Sequence, residues 1–392
     1  NGVTTLHTGA YRFMWRKRSV SAGESANDYS DLFNLLNAVS PTKNTSAAID
    51  FKSVDALVDY DQWMRVMACQ HAAGNWDSYG YDRGKNCYAY KPVNGKFVLW
   101  TWDIDFTMGV EGHGSSQDIL QTPYDPRVAA MWNNPIIGRA YWRAFLDLIN
   151  GPLNNSFLNP ILDAKAAAMA ANNINYDAGT VSTIKSFVTA RRAYIAGRLT
   201  TLTNTPFATS ITNITSSSNF VVINGTAPVS IKTILINGIE YPITWGGTLA
   251  SGFLNWTARF VVSQPTNQFV VQGLDSRDQP VASATRTVTV HYTGPVASPE
   301  GAVVFNEIMY RPKVAGAEFV ELFNNSDFAF DLAGWRVNGL DYSFPEGAIL
   351  AGRQHLVLAQ NLAAYLAAYT NTPAAFAQYG GRLNPDGETL SL

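Results

Sequence analysis

The apolar pattern of the chain changes period near residue 205, and that change decides most of what the polypeptide can become. Before it, Leu57, Tyr60, Met64, Met67 and His71 share one helical face, as do Trp142, Phe145, Leu148 and Ile149. After it, runs such as NFVVINGT, NWTARFVVS, NQFVVQG and ATRTVTVHY alternate with period two, separated by Asn-Gly, Pro and Gly signals. A mainly helical front part therefore precedes an all-β rear part, with TNTPFATS as the linker. In the rear part, Trp245 and Trp256 read as packing residues, and Asp275 and Asp278 as turn residues.

The front part reads as a series of helices. A short one is expected in SANDYSDLFNLLNAV, through Leu32, Leu35, Leu36 and Val39. A longer one is expected over 53–73, with Ser53 as N-cap, Asp55 in the first turn and Gly74 taking the left-handed position that ends it. Three more fill 135–203. Gly151-Pro152 ends the first, and Asn155 or Ser156 caps the second, with Pro160 in its first turn. The third, from Thr180, carries Val181, Ile184, Val188, Ile195, Leu199 and Leu202. His71 reads as a core histidine bonded to a backbone carbonyl.

Between these helices lies the stretch that carries chemistry, residues 71–109. Asp77 follows Gly74, Asn86 opens NCYAYKPV, and Asp103 closes KFVLWTW, with Asp105 two residues on. Val93-Asn94-Gly95-Lys96 suits a hairpin, because Asn-Gly fits the turn whose twist matches paired strands. A hairpin brings its outer ends together, so Asp77, Asn86 and Asp103 are expected to converge on an oxygen-rich volume suited to Mg²⁺. Read singly, each of these residues also fits a capping or turn role.

Asn75-Trp76-Asp77, Lys85-Asn86 and Trp102-Asp103-Ile104-Asp105, in that order, resemble the CotH family of spore-coat-type protein kinases. The resemblance implies a kinase-like C-terminal lobe, mostly helical with a short β-hairpin, over residues 1–204. It implies Asp77 as the catalytic acid, Asn86, Asp103 and Asp105 as metal ligands, and Lys85, Asn86 and Asp103 at the nucleotide, with Mg²⁺ and ATP as cofactors. Arg191-Arg192 resembles the arginine-bearing last helix of that lobe, and the loop 109–128 takes the place of an activation or substrate loop, with Glu111 and His113 on a mobile surface. The family's ATP-grasping lobe would precede Asn1, so the 392 residues are expected to show no independent kinase activity. The basic run Arg12, Arg16, Lys17 and Arg18 reads as a solvated edge or an approach to phosphates.

The rear part divides again. Residues 205–295 carry the strand spacing of an immunoglobulin-like sandwich. From 300 to 392, Asn306-Glu307-Ile308, Glu318-Phe319-Val320-Glu321-Leu322 with Asn324, Asp331-Leu332-Ala333-Gly334-Trp335 and Phe344-Pro345 resemble a lamin-tail domain, which implies a second small sandwich used in docking. Glu307, Glu321 and Asn324 fit either strand-end hydrogen bonding or a calcium patch. The fold class expected is thus multidomain α+β, with a kinase-like lobe followed by two all-β sandwiches.

A net charge of −2 gives no electrostatic case for nucleic acid, and charged residues at 15% with aromatics at 12% suit secreted bacterial β-domains. No apolar run reaches the length of a membrane span, and no signal peptide is visible. The two cysteines, Cys69 and Cys87, fit a disulfide or two separate thiols. These readings leave two functions open. One is an extracellular or envelope-associated kinase acting on Ser or Thr of surface proteins. The other is a structural or adhesion protein that keeps a kinase-like scaffold and assembles through its sandwich edges.

Overall fold

The computed structural model of the protein describes residues 16–39, 49, 51–369 and 374–392. Of the basic run that opens the chain, Arg12 lies outside them, while Arg16, Lys17 and Arg18 are described. The chain is mixed α+β with an all-β C-terminal region, and it divides into two compact units.

The first unit holds residues up to Thr205 and two later stretches, Pro228–Lys232 and Trp245–Leu254. Its elements are α1 (Ser30–Ala38), α2 (Phe51–Leu57), α3 (Tyr60–Ala73), β1 (Cys87–Tyr90), β2 (Val98–Thr101), α4 (Pro126–Trp132), α5 (Pro135–Asn150), α6 (Asn155–Ala171) and α7 (Ala178–Asn204). The helix expected over 53–73 is two helices. Val58 leaves helical geometry to bridge Phe97, the Asp59 amide donates to the Phe97 carbonyl, and Asp59 then caps α3 by accepting from the Gln62 amide. Ser53 is inside α2 rather than at a cap. Gly74 ends α3 at φ 73°, as its position implies. Asn154, not Asn155 or Ser156, caps α6, so Pro160 lies beyond its first turn, and Asp177 caps α7.

Trp63, Met64, Met67, Trp132, Tyr141, Trp142, Phe145, Val188 and Leu199 form one buried core, where α5 packs on α3 and on α7. Burying each such side chain contributes roughly 1.5–3 kcal/mol. Arg139 of α5 draws in the two later stretches. Its guanidinium is buried and donates to the carbonyls of Pro228 (2.8 Å), Ile231 (2.7 Å), Gly252 (3.4 Å) and Phe253 (2.9 Å), with Trp245 stacked 3.7 Å away. Trp142 adds a bond from Nε1 to the Leu249 carbonyl at 2.7 Å.

The second unit is built of sheets, with one short helix, Leu362–Ala368. One orders Asn213–Ser216, Pro280–Tyr292, Thr266–Leu274, Thr233–Ile236 and Ile239–Glu240, antiparallel except for the first pair. Another pairs Ala208–Thr209 with Phe220–Thr226 and Asn255–Val261. Trp256 is buried, and Asp275 closes a turn by accepting from the amides of Arg277 and Gln279. A third sheet orders Val303–Met309, Phe319–Asn324, His355–Ala359 and Ala377–Gln378 over a core of Leu322, Leu332, Phe344, Leu356 and Leu358.

Asn324, at the end of a strand of this third sheet, is fully buried. Its Nδ2 donates to the carbonyls of Phe328, Leu350 and Ala351, and its Oδ1 accepts from the Ser326 amide and hydroxyl. Asn324 is therefore a turn-building residue, while Glu321 bonds Asn306 at 2.6 Å. Asn324 and Glu321 therefore hold internal hydrogen bonds, while Glu307 is exposed.

Candidate functional site

The site starts where α3 ends. Gly74 turns the chain, and residues 75–82 run back as a compact loop in which Asn75 and Asp77 are buried. Asn75 Nδ2 donates to Gln70 Oε1 (3.0 Å), and the Ser78 hydroxyl donates to the Asn75 carbonyl (2.8 Å). These bonds fix the loop that presents Asp77.

Two neighbours clamp that carboxylate from one side. Lys85 Nζ lies 2.9 Å from Asp77 Oδ2, and Asn86 Nδ2 donates to the same oxygen (3.0 Å) and to the Asp77 carbonyl (2.8 Å). The other oxygen, Oδ1, is buried and has no partner among the described residues. Asn86 reaches back this way because it sits at φ 60°, a conformation asparagine tolerates better than most residues.

The hairpin forms in the expected register. Cys87 pairs with Thr101 and Tyr90 with Val98, and Asn94 takes φ 59° in the turn. Its open end sets Asn86 opposite Trp102, whose amide donates to the Asn86 carbonyl at 3.1 Å. Asp103 follows directly at φ 54° and is exposed, without a side-chain partner among the described residues. Asp105 turns its Oδ1 to the Phe106 amide (3.1 Å). The structure therefore joins Asp77, Lys85 and Asn86 through side chains and brings Asp103 next to Asn86 through the backbone, while Asp105 bonds its own loop.

Among the described residues, no three His, Cys, Asp or Glu side chains gather into a metal cage. A cation here would rely on Asn86, on the exposed Asp103 and on oxygens from its own ligands. That donor set suits Mg²⁺, which keeps several non-protein oxygens. The exposed Asp103 carboxylate is consistent with such a group.

One face of the hairpin is aromatic and open. Tyr88 meets Trp102 edge to face at 5.6 Å and Tyr90 meets Trp100 at 6.2 Å, with both tryptophans about three-fifths exposed. On the opposite face Leu99 is buried and Cys87 half-buried. Both cysteines are free, and burial pushes the Cys87 thiol up to about 11.

The loop after Asp105 is fastened rather than loose. The Met108 amide donates to the Ala73 carbonyl (2.7 Å), the His113 amide to Gly74 (2.8 Å), and Trp76 Nε1 to Glu111 (3.1 Å). His113 Nε2 pairs with Asp82 at 2.8 Å, and Gln121 donates to the other oxygen of Asp82. His113 thus bonds an internal acid, and Glu111 offers its carbonyl to Trp76. Space is tight at this seam, since a Cβ on Gly74 would meet the His113 carbonyl oxygen at 2.9 Å.

Beneath both segments lies His71, fully buried. Its Nε2 meets the Gly80 carbonyl at 2.9 Å, and its Nδ1 meets Tyr141 Oη at 2.8 Å and the Ile119 carbonyl at 3.3 Å. Burial holds its pKa down at about 4, so at neutral pH the ring is neutral, as a core histidine should be. Sequence reasoning missed Gln70, Asp82 and Tyr141. No local motif marks them, because each acts by reaching a residue far along the chain.

The profile of the family described as CotH kinase protein matches residues 10–215, more than half of the chain. The chain belongs to that family. The lamin tail domain matches residues 296–392. Invasin CotH7 of Rhizopus delemar is 32% identical over 96 residues, which make up 22% of this chain and 16% of that relative. The match thus spans about a sixth of that fungal protein's length. No solved structure matches.

Proposed function

We propose that this CotH-family protein transfers the γ-phosphoryl group of Mg-ATP to a Ser or Thr hydroxyl of a surface or extracellular protein. The observation that carries the reading is the asymmetry of Asp77. Lys85 and Asn86 hold Oδ2, which fixes the group's orientation, and Oδ1, buried in this structure, has no competing partner among the described residues. Orienting a hydroxyl and taking its proton asks for that arrangement. As the hydroxyl oxygen bonds to the γ-phosphorus, its proton passes to Asp77 Oδ1 and ADP leaves with the bridging oxygen.

Asn86 and Asp103 would hold Mg²⁺, with Asp105 behind them and Lys85 within reach of phosphate oxygens. Mg²⁺, when bound, neutralises charge on those oxygens. The strands over 205–295 and 300–392 are read as immunoglobulin-like modules that place the enzyme at a surface. No helix among the described residues is long and apolar enough to cross a membrane.

The test is Mg²⁺-dependent ATP turnover by the full-length natural protein. Asp77→Asn should lower it at least about a hundredfold, the usual weight of a general base, and Asp103→Ala should raise the Mg²⁺ requirement. ATP binding of equal strength in EDTA would remove the metal roles.

A second reading has its own support. The relative named an invasin and the lamin-tail match favour a structural or adhesion protein of an extracellular assembly, with partners met through sandwich edges. Absence of turnover, together with surface binding unchanged by Asp77→Asn, would favour it.

A further inference from the structure

Arg191 is as buried as any side chain in the protein, yet no carboxylate pairs with it among the described residues. Through Nη1 and Nη2 its guanidinium donates to three backbone carbonyls, while Nε has no hydrogen-bond partner among the described residues. Nη2 donates to His71 (2.6 Å), while Nη1 donates to Ser115 (3.0 Å) and Gln117 (2.6 Å). The fork therefore splits between two segments that are over forty residues apart in sequence. His71 lies in the last turn of α3, where the helix dipole favours a cation; its carbonyl also accepts from the Gly74 amide (3.2 Å). That turn leads through Gly74 to Asp77. Ser115 and Gln117 lie on the loop that runs on from Asp103 and Asp105.

Burying a guanidinium this way is costly, and burial holds its pKa below the usual arginine range. Packing alone does not call for it, since apolar residues at the same place would avoid the cost. A planar fork with donors fixed at set angles does what an apolar side chain cannot, because it sets the spacing of two chains at once. We propose that Arg191 is a positioning residue: from α7 it locks the Asp77 turn and the Asp103-bearing loop at one separation, so that acid and metal ligands face the same substrate.

The assignment of what is positioned rests on the kinase reading above, but the locking itself does not. Three consequences separate it from a packing role. Lysine keeps the charge and loses the fork, so Arg191→Lys should fold and still release at least one segment. Release shows in amide hydrogen exchange of the full chain: the amides of Gly74 and Asn75, or those of Met108 and His113, should exchange at least about tenfold faster, the effect of losing a charge-assisted hydrogen bond. Amides of α5 should keep their wild-type rates.

Arg191→Met should release both segments together. If that variant does not fold, Arg191→Lys still decides the matter. In turnover assays, Arg191→Lys should lower kcat while leaving the KM for ATP unchanged, since the residue spaces the machinery without touching nucleotide. Wild-type exchange at both segments in Arg191→Lys would overturn the proposal, as would a uniform rise that includes α5. A chain that never turns over ATP would end the kinase reading, and the exchange rates would still judge the lock.

Discussion

Arg139 and Arg191 make an instructive pair. Both are buried, both give their donors to backbone carbonyls, and both have pKa values lowered by burial. They differ in what they gather. Arg139 collects four carbonyls from stretches 228–232 and 252–253 and stacks on Trp245, so it closes a core. Arg191 joins the end of α3 to a loop, so it sets the geometry of a site. One chemical device serves stability in the first case and alignment in the second.

The comparison can be broken at several levels. Arg139→Met should have the largest effect, about 3 kcal/mol or more, because it strips partners from buried carbonyls; the midpoint of urea unfolding measures it. Asn324→Ala asks whether a neutral amide in the same kind of role weighs less. Its three donated and two accepted bonds predict a loss of about 2–3 kcal/mol, confined to the lamin-tail region.

His71 sharpens the contrast through pH. Its folded pKa of about 4 lies below the ordinary histidine value of 6.5, so the unfolded chain binds the extra proton first. Stability is full above pH 6.5 and falls as pH drops toward 4, by about 2 kcal/mol between pH 7 and 5. Unfolding at the two pH values should show it, and His71→Gln should flatten the difference. Smallest of all is Lys96→Ala, which removes the exposed pair with Asp55 at 2.8 Å and should cost below about 0.5 kcal/mol in the same assay.

How much of this was legible in the sequence depends on how local each cause is. The hairpin was legible, because Asn94-Gly95 and the flanking aromatic runs determine it within fifteen residues. So was the core face of α3, through Met64, Met67 and His71. The break at Val58 was not, because it depends on Phe97, almost forty residues away. Asp77 and Asn86 could be named as candidates, but their bond follows from the positive φ of Asn86, which no spacing rule specifies. Arg139 and Arg191 were the least legible. An arginine that ends on carboxylates can be sought in a sequence by charge, whereas carbonyl acceptors are present at every residue and mark nothing.

The open aromatic face of the hairpin makes the protein its own optical probe. Trp63, Trp132, Trp142 and Trp256 are shielded from solvent, while Trp100 and Trp102 stand out at its surface, the second of them adjoining Asp103. Acrylamide should therefore reach those two indoles most readily, ahead of the half-buried Trp76, Trp245 and Trp335. A ligand settling beside Asp103 would announce itself as a change in fluorescence, with no label attached.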